Sequence, residues 1–344
     1  MTVSEKSRRI VYHYLLEDHA RRQPDKPLLM MGDRVMTYAE VDRAANSIGR
    51  GFAAHGVVKG DRVLVMLPSS IDYALVWLGL CKIGALMVPV NEAYKAGMLR
   101  HQANNSGAKV AVIWNGHLAP WRAIAGELNH LETVFVYSDI SPSPSMGEGR
   151  GEGDARTSEE GCGQSRWAYL PFSALKHADH GPLPPVVEYF DPMAIFYTSG
   201  TTGPSKGVLY SYAQAHATAT PPARLCAPDD IFYMTLPMFH VGLSHMFGIV
   251  IIAGATMAVR GKFSVSNFWS DIRHYKATFS IMLSTMPNFL LSLPPSLAEL
   301  RSSCLASLVC SRKKGLELRR FRLFVDHRCL HLSKSCLLQH RFQL

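Results

Sequence analysis

Residues 197–207 read Tyr197-Thr198-Ser199-Gly200-Thr201-Thr202-Gly203-Pro204-Ser205-Lys206-Gly207, and these types at this spacing suit the binding of a polyphosphate. Thr198, Ser199, Thr201 and Thr202 place four hydroxyls within five residues, each able to donate to an anionic oxygen. Gly200, Gly203 and Gly207 allow close backbone approach, and successive N–H groups in such a stretch can form a concave anion nest. Lys206 adds a point charge suited to phosphate. The segment is not a P-loop, because no Gly-Lys-Ser or Gly-Lys-Thr closes it. Read blandly, it is a polar turn joining two strands, for which Thr-Gly-Pro is ordinary chemistry. Eleven consecutive residues of this kind behind the apolar run Ala194-Ile195-Phe196 exceed what a turn needs.

Such a loop has to be carried by a rigid frame, and the preceding sequence predicts one. Tyr12–Arg22 has helical spacing and stops before Pro24. Thr37 followed by Glu40 makes a capping box for a helix to about His55, with Gly56 as its stop. The apolar run 63–67 fits a buried strand. Ser69 or Ser70 then caps an apolar helix over Ile71–Ile83 that ends at Gly84. A strand over 86–90, a helix over Ala96–Ser106, and strands over Val110–Trp114, 131–137 and 194–197 continue the alternation. Strand–helix alternation of this kind predicts a parallel sheet covered by helices on both faces.

Composition limits the function classes. A length of 344 residues allows two or three packed units, at roughly 100–200 residues each. The apolar share of 47% and charged share of 18% suit a globular chain with a sizeable core. No uncharged apolar stretch reaches the ~18 residues of a membrane span. The charged start, Met1 to Arg9, lacks the apolar core of a secretory signal, so a cytoplasmic location is expected.

Residues 301–344 hold ten Lys or Arg against two acids, Glu317 and Asp326, so this tail carries +8 of the net +9 and leaves +1 for the body. A nucleic-acid-binding role would rest on the tail alone, and none is expected. Cys304, Cys310, Cys329 and Cys336 lie in the same tail, while Cys81, Cys162 and Cys226 are scattered. Their spacing fits neither a zinc site nor a disulfide framework, so no protein metal site is expected. Residues 141–165, rich in Ser, Pro and Gly, bury too little apolar surface to offset their ordering entropy and read as a flexible insertion. Their Gly-x-Gly spacing lacks the preceding strand and following helix of a phosphate loop.

The pattern Tyr-Thr-Ser-Gly-Thr-Thr-Gly-x-x-Lys-Gly at 197–207 resembles the nucleotide signature of the adenylate-forming (AMP-binding) superfamily, of acyl-CoA synthetase or ligase type. Leu236-Pro237-Met238-Phe239-His240-Val241-Gly242 resembles that family's next motif, in which an aromatic residue and a histidine line the acyl pocket. Alone, His240 would read as an ordinary satisfied histidine; its place after the loop makes it a candidate. Lys82 to Asn91 resembles a structural turn of the family. The resemblance covers about residues 10–295, and the stretch 263–269 leans towards ligases of carnitine–CoA or medium-chain acyl type.

This resemblance implies that the loop clamps the β- and γ-phosphates of ATP while a carboxylate attacks the α-phosphorus. Acyl-adenylate and pyrophosphate result, and coenzyme A then takes the acyl group. Carried onto this chain, Thr198, Ser199, Gly200, Thr201, Thr202, Gly203 and Lys206 contact phosphate, with Lys206 also the catalytic candidate, and Phe239 and His240 line the acid pocket. ATP, Mg2+ and coenzyme A are the implied small molecules, a carboxylic acid the implied partner, and fatty acid metabolism the implied context. Oligomeric state has no signal here.

The implied fold is α/β, layered sheets with flanking helices, forming part of the family's N-terminal domain. The expected units are an α/β subdomain over 1–140, the insertion 141–165, a loop-bearing α/β subdomain over 166–296, and an atypical tail over 297–344. No Tyr-Gly-x-Thr-Glu segment, no Tyr-x-Thr-Gly-Asp segment and no C-terminal lid with its lysine is found. A truncated ligase with impaired adenylation is therefore expected, and a nucleotide-binding fragment without catalysis is the alternative. The change of character after 296 suggests a shifted reading frame; the blander reading of the tail is an amphipathic basic helix over about 315–329.

Overall fold

The structure is a computed structural model describing residues 3–138, 167–198, 204–282, 286–291 and 322–325. Helices α1 (Glu5–Ile10) and α2 (Tyr12–Arg22) precede a hairpin of β1 (Pro27–Met31) and β2 (Arg34–Thr37). Helix α3 (Tyr38–Ala54) opens on the expected capping box, with Thr37 accepting from the Glu40 N–H and Glu40 accepting from the Thr37 N–H. Then come β3 (Arg62–Met66), α4 (Ile71–Ile83), β4 (Leu86–Pro89), α5 (Ala96–Ser106), β5 (Val110–Trp114), α6 (Leu118–Ala123) and β6 (Thr133–Tyr137). Beyond the stretch 139–166 lie β7 (Ala168–Pro171), β8 (Pro192–Thr198), β9 (Lys206–Ser211), α7 (Tyr212–Ala223), β10 (Ile231–Met234) and α8 (Gly242–Ala253). Strand β11 (Thr256–Val259), α9 (Phe268–His274), β12 (Phe279–Met282), α10 (Met286–Leu291) and β13 (Arg322–Val325) complete the described elements.

The strands form two sheets. One has the order β7-β6-β5-β3-β4-β8-β9, parallel except at the β8–β9 edge. The other has the order β13-β12-β10-β11-β1-β2, parallel except at β1–β2. The expected layered sheets are thus two, each parallel in its centre and finished by an antiparallel hairpin that strand–helix alternation alone did not predict. Both draw strands from either side of residues 141–165, so the units 1–140 and 166–296 are interleaved in the sheets. The insertion itself lies outside the described residues. Arg322–Val325, which fell within the helix read over 315–329, pairs in parallel with β12 as a strand. The open side of β12 offers unpaired backbone groups, and Arg-Leu-Phe-Val is a strand-forming run that satisfies them.

Alternation along the central strands shows why they read as continuous apolar runs. In β3, Val63 and Val65 enter the largest core cluster, whereas Leu64 and Met66 enter a second cluster with Leu99, Ile113 and Trp121. In β10, Phe232 and Met234 face the largest cluster while Tyr233 packs with Phe268 and Ile272. Both faces of these central strands are therefore covered, which demands apolar residues at every position. Helices α4 and α8, buried nearly all round, belong to the cluster shared by the two sheets. Trp77 of α4 and Phe247 of α8 meet edge to face at 5.2 Å there. Gly84 ends α4 in the left-handed conformation (φ 74°), as its place in the sequence required.

Candidate functional site

The polar loop is the turn of the β8–β9 hairpin. Thr198, the last residue of β8, is the register partner of Lys206, the first of β9. The pairing fixes the two loop ends, and both residues are exposed. Ser199, Gly200, Thr201, Thr202 and Gly203 lie outside the described residues. One step back, Tyr197 faces Gly207. A Cβ at Gly207 would stand 2.9 Å from Ile195 Cγ2 and 3.2 Å from Tyr197 Cζ, so the ring occupies space that only glycine leaves.

Helix α5 reaches both limbs of this hairpin. The Tyr197 hydroxyl donates to Asn105 Oδ1 at 2.7 Å. Burial raises the pKa of that phenol, which keeps it a donor. His101 Nε2 donates to the Ser205 carbonyl at 2.7 Å. Neither contact had a sequence signal, because a helix's periodicity does not say which distant loop its polar positions meet.

Phe239 and His240 sit in the loop from β10 to α8, Phe239 half-buried and His240 more open, while Met238 between them and the strand is fully buried. The Gly242 N–H donates to His240 Nδ1 at 3.1 Å, which places the ring proton on Nε2. Partial burial lowers the His240 pKa, in agreement with a neutral ring. The loop is anchored from the other sheet: the Met238 N–H donates to Ser69 Oγ at 3.0 Å.

Strand register places both loops on one edge. Val63, Met87 and Ala194 are successive partners across β3, β4 and β8. Four residues on, Thr198 is level with Asn91 and Leu67, two residues before Ser69. Two strand spacings separate β3 from β8, about 10 Å. Thr198 and Lys206, the ends of the β8–β9 turn, and the Phe239–His240 loop thus share the carboxyl edge of parallel strands, where open α/β sheets bind ligands. Thr198 and Lys206 are brought together, as are Phe239 and His240; no hydrogen bond joins the two pairs among the described residues.

Lys82, read as part of a structural turn, lies in α4 with its side chain 1% exposed, 2.8 Å from both Glu17 and Asp42. It is a buried charge held by two carboxylates, away from the loop ends. Among the described residues no group of three His, Cys, Asp or Glu could hold a metal ion, and no helix is long and apolar enough to cross a membrane.

The profile of the AMP-binding enzyme family matches residues 16–322, reaching past residue 296. The chain is 30% identical over 291 residues to long-chain fatty acid transport protein 2 of Rattus norvegicus, covering 83% of this chain and 44% of the relative. It is 28% identical over 289 residues to crotonobetaine/carnitine–CoA ligase of Citrobacter koseri, covering 80% and 50%. A solved Mycobacterium tuberculosis fatty acyl CoA synthetase is similar in fold, with a TM-score of 0.67 at 22% identity, over 84% of this chain and 52% of that one. The chain spans about half the length of the relatives it matches.

Proposed function

We propose, since the chain belongs to the AMP-binding enzyme family, that it forms the phosphate-binding part of an ATP-dependent acid–CoA ligase. The observation that carries the proposal is the β8–β9 hairpin, whose ends Thr198 and Lys206 pair in register at the carboxyl edge of a parallel sheet. In this reading the loop residues Thr198, Ser199, Gly200, Thr201, Thr202, Gly203 and Lys206 bind the β- and γ-phosphates of ATP. A carboxylate oxygen attacks the α-phosphorus, the bond from that phosphorus to the bridging oxygen breaks, and pyrophosphate leaves. Lys206 offsets negative charge on the departing phosphates. The thiolate of coenzyme A then attacks the acyl carbon, forming a thioester and releasing AMP. Phe239 and His240 would border the acid, with neutral His240 offering its Nε2–H as a donor.

The described residues offer no three-ligand cage for Mg2+, so it is placed in this reading only as the ion that accompanies ATP phosphates, and no step is derived through it. Fatty acids are the substrate class to test first, because several relatives are named for them. A cytoplasmic location is part of the same proposal. A second reading, nucleotide binding without ligation by these 344 residues, is favoured by the lack of Tyr-Gly-x-Thr-Glu and Tyr-x-Thr-Gly-Asp segments in them. Pyrophosphate release from ATP with a panel of carboxylic acids separates the two. Acid-dependent release that disappears in Lys206→Ala supports ligation; ATP binding with no release for any acid supports the second reading.

A further inference from the structure

We infer that His101 is a positioning residue for the nucleotide loop, with Asn105 as its companion on helix α5. The inference rests on reading 197–207 as that loop, but its structural half stands on separate contacts. His101 and Asn105 are four residues apart and so share one helix face. From that face His101 donates to the Ser205 carbonyl at 2.7 Å, and Asn105 accepts from the Tyr197 hydroxyl at 2.7 Å. The His101 ring also stands edge-on to Tyr197, with centroids 6.3 Å apart at 90°. One helix face therefore holds the incoming limb through Tyr197 and the outgoing limb through Ser205.

The Ser205 carbonyl belongs to the peptide unit whose nitrogen is that of Lys206. Fixing it fixes the backbone from which Lys206 projects. Strand β9 is an edge strand with β8 as its sheet neighbour, so a contact from α5 adds a constraint that the sheet does not supply. The helix is itself anchored. Gln102 Nε2 donates to the Pro89 carbonyl at 2.8 Å, Asn104 Nδ2 donates to the Glu127 carbonyl at 2.8 Å, and Leu99 is fully buried. A held hairpin presents its donors without first ordering them, which strengthens anion binding by lowering its entropic cost.

The test combines ATP titration with amide hydrogen exchange on the full chain. His101→Ala should weaken ATP binding about 3- to 10-fold, the range for losing one neutral hydrogen bond. His101→Gln, which can still donate, should recover most of the loss. Exchange in peptides covering residues 204–211 should quicken in His101→Ala and remain unchanged over α4. Tyr197→Phe, which removes the hydroxyl alone, should produce a smaller change of the same kind and serves if His101→Ala fails to fold. Wild-type affinity and wild-type exchange in both variants would overturn the inference. If the wild-type chain binds no ATP, or Lys206→Ala binds it equally well, the nucleotide reading fails instead. Exchange in the hairpin then judges the clamp alone, and unchanged exchange overturns it.

Discussion

Ser69 Oγ accepts a hydrogen bond from the Met238 backbone N–H at 3.0 Å, across 169 residues of sequence and from one sheet to the other. Both residues are buried, Ser69 at 3% exposure and Met238 at 0%. Ser69→Ala leaves that N–H without its partner, and a buried unpaired donor costs about 1–3 kcal/mol. Urea unfolding should show a loss in that range with an unchanged slope. A variant as stable as the wild type would show that the bond does not hold the Phe239–His240 loop in place.

Lys82 gives the largest single-site effect expected away from the loop. Its ammonium lies 2.8 Å from Glu17 and 2.8 Å from Asp42, with its side chain 1% exposed and theirs 20% and 16%. Lys82→Met removes the charge and leaves two carboxylates facing each other, at a cost of about 3–5 kcal/mol. Chemical denaturation measures it; a loss under about 1 kcal/mol would mean that the carboxylates reach solvent without the lysine.

His13 sets a direction for pH dependence. The ring is buried against Tyr14 and Tyr212. Burial, and then the nearby Lys82 charge, hold its pKa well below the usual 6.5. The unfolded chain therefore binds a proton below pH 6.5 that the folded chain refuses, so stability falls as pH drops below that value. His19, His216, His240 and His245, also lowered by burial, act in the same direction. Urea midpoints at pH 7.5 and 5.5 should differ less in His13→Gln than in the wild type. Equal differences would remove His13 from the effect.

Tyr12 and Gly248 mark the tightest approach of α2 to α8. A Cβ at Gly248 would stand 2.1 Å from the Tyr12 hydroxyl, and that hydroxyl has no hydrogen-bond partner among the described residues. Gly248→Ala should destabilise by about 1–3 kcal/mol through overpacking. Tyr12→Phe should be neutral or stabilising and, because ring Cζ stays 2.5 Å and Ala219 Cβ 2.9 Å from that position, should relieve only part of the cost in the double variant. Additive effects in that cycle would contradict the contact.

Local rules were legible where one short segment decides its own conformation. The Thr37–Glu40 capping box, the Gly84 stop and the bounds of α2 and α4 follow from neighbouring residues, and the structure has them as expected. The sequence left Ser69 and Ser70 as alternative caps for α4. Ser70 is the cap, and Ser69 is the residue that holds Met238. No local pattern could separate them, because Ser69's partner lies far along the chain. How the strands divide between the two sheets was hidden for the same reason. The β1–β2 hairpin pairs with β11, more than 200 residues later, and no reading of neighbouring residues reaches that far. At the site, the motif singled out Thr198, Lys206, Phe239 and His240, but the α5 contacts to Tyr197 and Ser205 are tertiary and left no trace in spacing.

The direct test of the proposed function is an equilibrium titration of the purified chain with ATP, in the wild type and in Lys206→Ala. A charge-assisted contact to phosphate corresponds to roughly a 10- to 100-fold change in affinity. Saturable ATP binding that weakens by that factor in Lys206→Ala is the result expected. No binding by the wild type, or equal binding by both proteins, would contradict the reading of this hairpin as a nucleotide site.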